Sequence, residues 1–260
     1  MAPTIHLDPI AAGERITRGE IQWGEAVGSP AGPITFGFRS SRPAYNSPFD
    51  EQSSFSRFAT DQMAMARTAL RLWSNVANIT FEEVAYGAYT DAATILFGNF
   101  AQQFDGATGF AYTPGIEDHS SASGDVWMNA ASVIGEPTFK LKVILHETGH
   151  ALGLDHPGDY GSAADYDTDA EYVEDSRQYT VMSYFDASET GAVHFVYATT
   201  PLLHDIAAIQ RLYGANSAFA AGDTVYGFNS DADPAFRISA LRGFEWVNGG
   251  HHRGFEACGY

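Results

Sequence analysis

The sequence predicts an α/β fold (α+β in some schemes), because stretches with helical periodicity are set among a series of short β-type runs. A first long helix is expected over Arg57 to Val76. There Phe58, Met65, Ala69, Leu72 and Val76 recur at spacings of three, four and seven, while Asp61, Gln62, Arg67 and Arg71 fall elsewhere. Strand-like runs lie at Ile34 to Phe38, Ile79 to Val84, Thr94 to Phe100, Gly109 to Thr113 and Asp125 to Asn129. Gly, Asp and Pro clusters separate them, which points to a sheet of several strands. Thr138 to Leu152 reads as a second helix, with Thr138 or Pro137 near its start and Gly153 at its end. Pro201 to Tyr213 reads as a third, with Pro201 where helices tolerate proline. Residues 1–33 carry Gly and Pro punctuation with weak periodicity and are expected to form a loosely structured, propeptide-like lead-in. An acidic loop rich in Tyr and Gly runs from Asp155 to Asp175, and its part from Asp159 to Asp175 is expected to be a solvated face, with a calcium contact as the alternative.

Bulk composition narrows the function classes. The 260 residues hold 32 Asp and Glu against 14 Lys and Arg, a formal net charge of −18. Such a surface repels phosphates, so nucleic acid and anionic membrane are poor partners. Hydrophobic residues at 45% are enough for a packed core. A single cysteine, Cys258, excludes a disulfide framework and any multi-cysteine zinc site. No stretch approaches the ~20 apolar residues needed to span a bilayer. Met1 to Gly13 lacks the basic and apolar regions of a secretory signal peptide. Only two lysines occur, Lys140 and Lys142, both at the start of the second helix.

That helix carries the chemistry, in the run His146-Glu-Thr-Gly-His150-Ala-Leu-Gly153-Leu-Asp-His156. Histidines four apart on a helix share one face, so both imidazoles can reach one metal. Gly153 can take positive φ, letting the chain turn back so that His156 supplies a third nitrogen. Three protein ligands with one open position is the pattern of catalytic zinc, and Glu147 lies where it can accept a proton from a water at that position. A five-residue match of this kind arises by chance in roughly one chain in a hundred of this length. Gly153 and His156 at fixed spacing lower that by about three further orders of magnitude. Elsewhere, His204 is expected on the exposed side of the third helix and His194 on a loop. Asp155 either anchors hydrogen bonds behind the ligands or is solvated.

The extended histidine motif, with Met182 in Thr180-Val-Met-Ser-Tyr184 lying 26 residues after His156, resembles the metzincin clan. Within it, His156-Pro-Gly-Asp-Tyr160, Val181-Met-Ser-Tyr184, Leu72 to Phe81, Asp205 to Asn216 and Gly222 to Asn229 are similar to the serralysin family of exported bacterial proteases. The resemblance covers most of residues 22 to 235. It implies a zinc endopeptidase acting on polypeptides, with a twisted five-stranded mixed sheet, mostly parallel with one antiparallel edge strand, and a cleft along that edge. It also implies His146, His150 and His156 as zinc ligands, Glu147 as general base and acid, and Met182 as an apolar floor beneath the metal. Tyr184 would be an additional zinc ligand at rest that swings away to hydrogen-bond the transition state. Asp125 to Asn129 would be the edge strand that pairs with substrate. Calcium would bind through Ala220, Gly222 and Thr224, mostly by backbone oxygens.

The resemblance implies a chain organised as the lead-in 1–33, a zinc protease domain over 34–236 and a divergent tail over 237–260. In the family a calcium-binding repeat domain follows, and no Gly-Gly-x-Gly-x-Asp repeat occurs here. The tail is expected to be a shifted reading frame or the start of a shortened repeat domain. A monomer working outside the cell, with a small proteinaceous inhibitor as a further partner, completes the expectation. Two rival readings keep the histidines: a zinc-binding but inactive remnant, and a protein that uses the cleft to capture peptides.

Overall fold

The computed structural model describes residues 2–45, 54–101, 107–115, 121–133, 135–193 and 196–222. The chain divides into two compact units, Met1–Phe219 and Ala220–Tyr260. Of the second, only 220–222 are described, so Thr224, His251, His252 and Cys258 lie outside the described residues, as does His194. No helix among the described residues is long and apolar enough to cross a membrane.

The first unit is an α/β arrangement around a five-stranded mixed sheet. Its strands are β1 (Ala31–Phe38), β2 (Ile79–Glu83), β3 (Ile95–Phe100), β4 (Gly109–Ala111) and β5 (Val126–Asn129), in the order β2-β1-β3-β5-β4. The three contacts among β2, β1, β3 and β5 are parallel, and β4 alone runs antiparallel, against β5. The interior strands β3 and β5 are buried at every position, which is why they read as unbroken apolar runs and not as alternating ones.

The sheet corrects one expectation. Asp125 to Asn129 is not the edge: β5 is flanked by β3 and β4, and the open edge belongs to Gly109–Ala111. The burial of Val126, Trp127, Met128 and Asn129 is what an inner strand requires, whereas β4 is only half-buried.

Among the described residues five α-helices accompany the sheet: α1 (Pro9–Ile16), α2 (Thr60–Val76), α3 (Pro137–Ala151), the short α4 (Tyr166–Asp169) and α5 (Leu203–Tyr213). Helix α2 starts three residues later than its periodicity suggests, because Ser56 is taken up in a bridge to Asn99 and Ala59 caps the helix. Its buried side, Met63, Ala66, Ala69, Leu70, Leu72 and Trp73, turns inward. Helix α2 touches β2, α3 touches β4 and β5, and the two helices touch each other, so they lie side by side across the sheet. The lead-in is not loose. Asp8 caps α1 through Ala11, and Ala12 and Ile16 are fully buried where α1 packs on α5. Its eight residues are too short for periodicity to show.

Candidate metal centre

Helix α3 begins with Pro137 at its first turn and is buried along most of its length, so it runs through the body of the unit. Its C-terminal carbonyls are tied down from other elements. Trp73 Nε1 of α2 donates to Leu145 O at 3.2 Å, Trp23 Nε1 to Ala151 O at 2.8 Å, and Tyr213 Oη of α5 to Leu152 O at 2.7 Å. The last two satisfy acceptors that a helix end leaves open, the first adds a bond to a carbonyl within the helix, and together they fix the turn that carries the histidines. Gly153 then reverses the chain with φ +99°, and a Cβ there would fall 1.9 Å from Ile21 O. Only glycine satisfies both the left-handed backbone and that approach. Past the turn, Asp155 N donates to Ile16 O at 2.7 Å and Arg18 Nη1 donates to His156 O at 2.7 Å. The lead-in therefore holds the third histidine in place.

The outcome is a convergence of three imidazoles. His150 Nε2 lies 3.1 Å from His146 Nε2 and 3.1 Å from His156 Nε2. Three nitrogens tetrahedrally disposed about a cation at ~2.0–2.1 Å are separated by about 3.3 Å, so the spacing fits zinc. The opposite ring nitrogens face backbone carbonyls. His146 Nδ1 donates to Val181 O at 2.7 Å and His150 Nδ1 to Leu154 O at 2.6 Å, while His156 is bonded to the backbone of Tyr160. With the protons on Nδ1, all three Nε2 atoms present lone pairs to one point. Such lone pairs repel one another unless a Lewis acid lies among them, so the donor set fits a cation and little else. Burial, followed by the neighbouring His150 charge, pulls His146 well below the ordinary imidazole range and His156 down to about 3, and burial also lowers His150. The rings are thus neutral, as ligation demands.

Glu147 is 4% exposed, and burial raises its carboxyl to about 8 against the opposing charge of Lys142. Gly109 of the edge strand lies against it, since a Cβ there would stand 2.9 Å from Glu147 Cγ. Tyr184 packs on the cluster, its ring 4.3 Å from that of His156 and 5.9 Å from that of His146. Burial and then Glu147 raise the Tyr184 phenol to about 12. Met182 is fully buried beneath the helix, where the missing side chain of Gly149 leaves room for its sulfur. The structure thus brings together all six residues that the motif and the methionine turn pointed to. Ala220 and Gly222 are exposed in the second unit.

Two expectations about neighbouring residues change. His204 is 1% exposed, stacked on Tyr179 with centroids 5.3 Å apart, because α5 turns that side toward the methionine turn. Nor is the acidic loop wholly solvated: Asp175 and Tyr172 are fully buried, with Tyr160 Oη donating to Asp175 Oδ1 at 3.0 Å. Residues that motif spacing did not single out complete the frame. Asp205 accepts from Thr180 Oγ1 at 2.5 Å, Val181 N at 2.9 Å and Leu202 N at 2.7 Å, and so fixes the segment whose carbonyl orients His146. An acid in the first turn of a helix is the signal that could have marked it.

Similarity to known proteins agrees with this geometry. The matrixin peptidase profile matches residues 49–165, which include the three histidines and Glu147. Serralysin C of Dickeya chrysanthemi is 39% identical over 96% of this chain and 54% of its own length. Serralysin A of the same organism is 40% identical over 96% of this chain and 53% of its own. Metalloprotease AprA of Pseudomonas entomophila is 40% identical over 79% of this chain and 45% of its own. The chain therefore spans about half the length of the curated relatives it matches. An alignment over 96% of the chain also takes in part of residues 237–260.

Proposed function

This chain belongs to the serralysin-type metzincin family, and on that premise we propose that it is a zinc-dependent endopeptidase using His146, His150 and His156 as ligands, Glu147 as general base and Tyr184 as oxyanion donor. The observation that carries the proposal is the convergence of three Nε2 atoms, that of His150 lying 3.1 Å from each of the other two, with Nδ1 of His146 and of His150 bonded to backbone carbonyls.

Zinc in this cradle supplies a Lewis acid that polarises the scissile carbonyl and acidifies a water. The rest is done by side chains. Glu147, whose burial raises its proton affinity toward neutral pH, takes the proton of the attacking water and passes it to the leaving amine. Tyr184 keeps its proton because burial has raised its phenol, so it can donate to the tetrahedral oxygen. The substrate backbone lies along Gly109–Ala111, the open edge beside Glu147, by strand addition. A buried carboxyl at the cluster speaks against a pure peptide binder, since ligation alone has no use for it. All these residues come from one chain, which suits a monomer, and a small protein that fills the cleft uncut would inhibit it. We place its action outside the cell, and calcium at Ala220, Gly222 and Thr224, on the family resemblance.

The test is zinc stoichiometry together with casein hydrolysis, for wild type and Glu147→Ala, with and without calcium. One zinc per chain and chelator-sensitive hydrolysis are expected, with hydrolysis down by roughly 10²–10⁴-fold in the variant while zinc is retained. A variant that binds zinc and keeps full activity would sink the mechanism. Zinc without any wild-type hydrolysis would favour the inactive remnant.

A further inference from the structure

We propose that Asp175 is a positioning residue for the third zinc ligand, acting through Tyr160 on His156. This rests on the zinc reading and adds to it two residues outside the ligand set.

The three histidines are not steadied alike. His146 is bonded to the carbonyl of Val181, and the backbone N–H of Val181 is in turn tied to the fully buried Asp205. His150 is bonded to the carbonyl of Leu154, in the turn that closes its own helix. His156 lies past that turn, half-buried, in a stretch with neither helix nor strand. Arg18 fixes its backbone, but its ring has a separate holder. Tyr160 bonds the His156 side chain through its backbone and lays its own ring almost parallel, with centroids 5.7 Å apart and planes 8° apart. Only bends at 157–159 link the two residues, so the contact is as firm as whatever fixes Tyr160.

Asp175 fixes it. Tyr160 Oη donates to Asp175 Oδ1 at 3.0 Å, from fifteen positions earlier in the chain. The same ring packs against Phe185 at 4.8 Å and Tyr184 at 5.8 Å between centroids. A side chain tied at its hydroxyl and packed on its faces has one place to stand, and His156 takes its plane from it.

The carboxyl itself is ill-served by its surroundings. Asp175 is 0% exposed, and its Oδ2 is buried without a hydrogen bond of good geometry. Burial disfavours the charged carboxylate, the Ser183 and Tyr160 hydroxyls oppose that, and Glu171 adds a like charge. Asp205, by contrast, holds three donors. A buried acid with so few donors costs the fold stability, so its worth lies in what it orients. Asp175 and Asp205 then do the same work for two different ligands: each anchors the residue to which a zinc-binding ring is bonded.

The experiment measures zinc affinity by competition with a chelator, and the visible absorption bands of the cobalt-substituted protein, which report ligand geometry. Tyr160→Phe removes the hydroxyl, Asp175→Leu removes the acceptor, and Asp175→Asn keeps an acceptor oxygen. Tyr160→Phe and Asp175→Leu are each expected to weaken zinc by roughly 10–100-fold and to shift the cobalt bands. The double variant should bind no more weakly than the weaker single one, because both changes break one bond. Asp175→Asn should recover most of the affinity. A merely structural role would lower the unfolding midpoint of the metal-free variants while leaving zinc affinity and cobalt bands of the folded protein unchanged, and that result overturns the proposal. Fully additive losses in the double variant overturn it too. Should Asp175→Leu fail to fold, Tyr160→Phe decides by itself, since it removes a single oxygen. A wild type that takes up no zinc fails the zinc reading, and the role of Asp175 falls with it.

Discussion

Two of the polar clusters buried among the described residues are built on opposite principles. The first surrounds Asp125, which is 1% exposed. Arg39 Nη2 and Tyr45 Oη both donate to its Oδ2, Trp127 Nε1 donates to Tyr45 Oη at 3.1 Å, and the Arg39 guanidinium sits over the Tyr45 and Trp127 rings. Charge is answered by charge, with Arg39 Nε left as a buried donor without a partner among the described residues. In the second, around His146, His150 and His156, Nδ1 of His146 and of His150 is turned outward to a carbonyl and the three Nε2 atoms are turned inward to one another. That cluster is open, and only a cation closes it. A self-satisfied polar group serves the fold, whereas one held in an arrangement that repels itself is held for a ligand.

The contrast is sharpest where one residue is removed from each cluster. His150→Ala should abolish zinc retention and bring hydrolysis to background, while circular dichroism and unfolding of the metal-free protein change little. Metal analysis and a protease assay check this. Asp125→Ala should do the reverse, leaving the Arg39 cation buried without its partner. It should cost about 3–5 kcal/mol in denaturant unfolding, with one zinc still bound per folded chain. If Asp125→Ala instead lost zinc at full stability, the two clusters would not be separate devices.

Acid acts on the second region with a sign that can be worked out. Burial lowers His204 to about 4. Above its ordinary value of about 6.5 it is neutral folded and unfolded alike, so its packing is fully retained there. As pH falls from about 6.5 to 4, the unfolded chain takes up a proton that the folded chain refuses, and stability is lost. The three ligand histidines, also lowered, act in the same direction. Unfolding midpoints at pH 7 and pH 5 should therefore fall with acid. His204→Gln should remove part of that fall, at most about 2 kcal/mol over this interval. Equal falls in both proteins would mean that His204 is not held neutral.

The smallest effect concerns the strut between the two helices that bear on the site. Asp205→Ala leaves Thr180 Oγ1, Val181 N and Leu202 N without their acceptor. It should cost about 1–3 kcal/mol and weaken zinc by roughly 10–100-fold, because the Val181 carbonyl then no longer orients His146 firmly. Competition with a chelator of known affinity measures the second part. Unchanged affinity would detach Asp205 from the metal centre.

The contrast between clusters also explains what the sequence made legible. His146, Glu147, His150, Gly153 and His156 lie within eleven residues on one helix and its turn, so local geometry dictates their convergence. Strand positions were legible because β-type runs are short and bounded by turn residues, as at Ile79–Glu83 and Ile95–Phe100. Order in the sheet was less so. The resemblance alone implies Asp125 to Asn129 as the edge, and nothing local corrects it, because four residues in a row, Val126 to Asn129, carry no mark of what pairs on each side. Long-range partners were hidden for the same reason. Arg18 reaches His156 across 138 positions and Trp23 reaches Ala151 across 128, and neither spacing leaves a trace in a linear pattern. His204 looked exposed because an isolated histidine at the start of a helix gives no sign of which side its helix turns inward.

The central claim is that three Nε2 atoms hold one cation, and X-ray absorption at the zinc edge of the purified chain tests it most directly. The account predicts one zinc per chain with a first shell of nitrogen and oxygen at ~2.0–2.1 Å, an imidazole pattern for three ligands and no sulfur. A chain that takes up no zinc, or zinc whose first shell lacks histidine nitrogen, would contradict it.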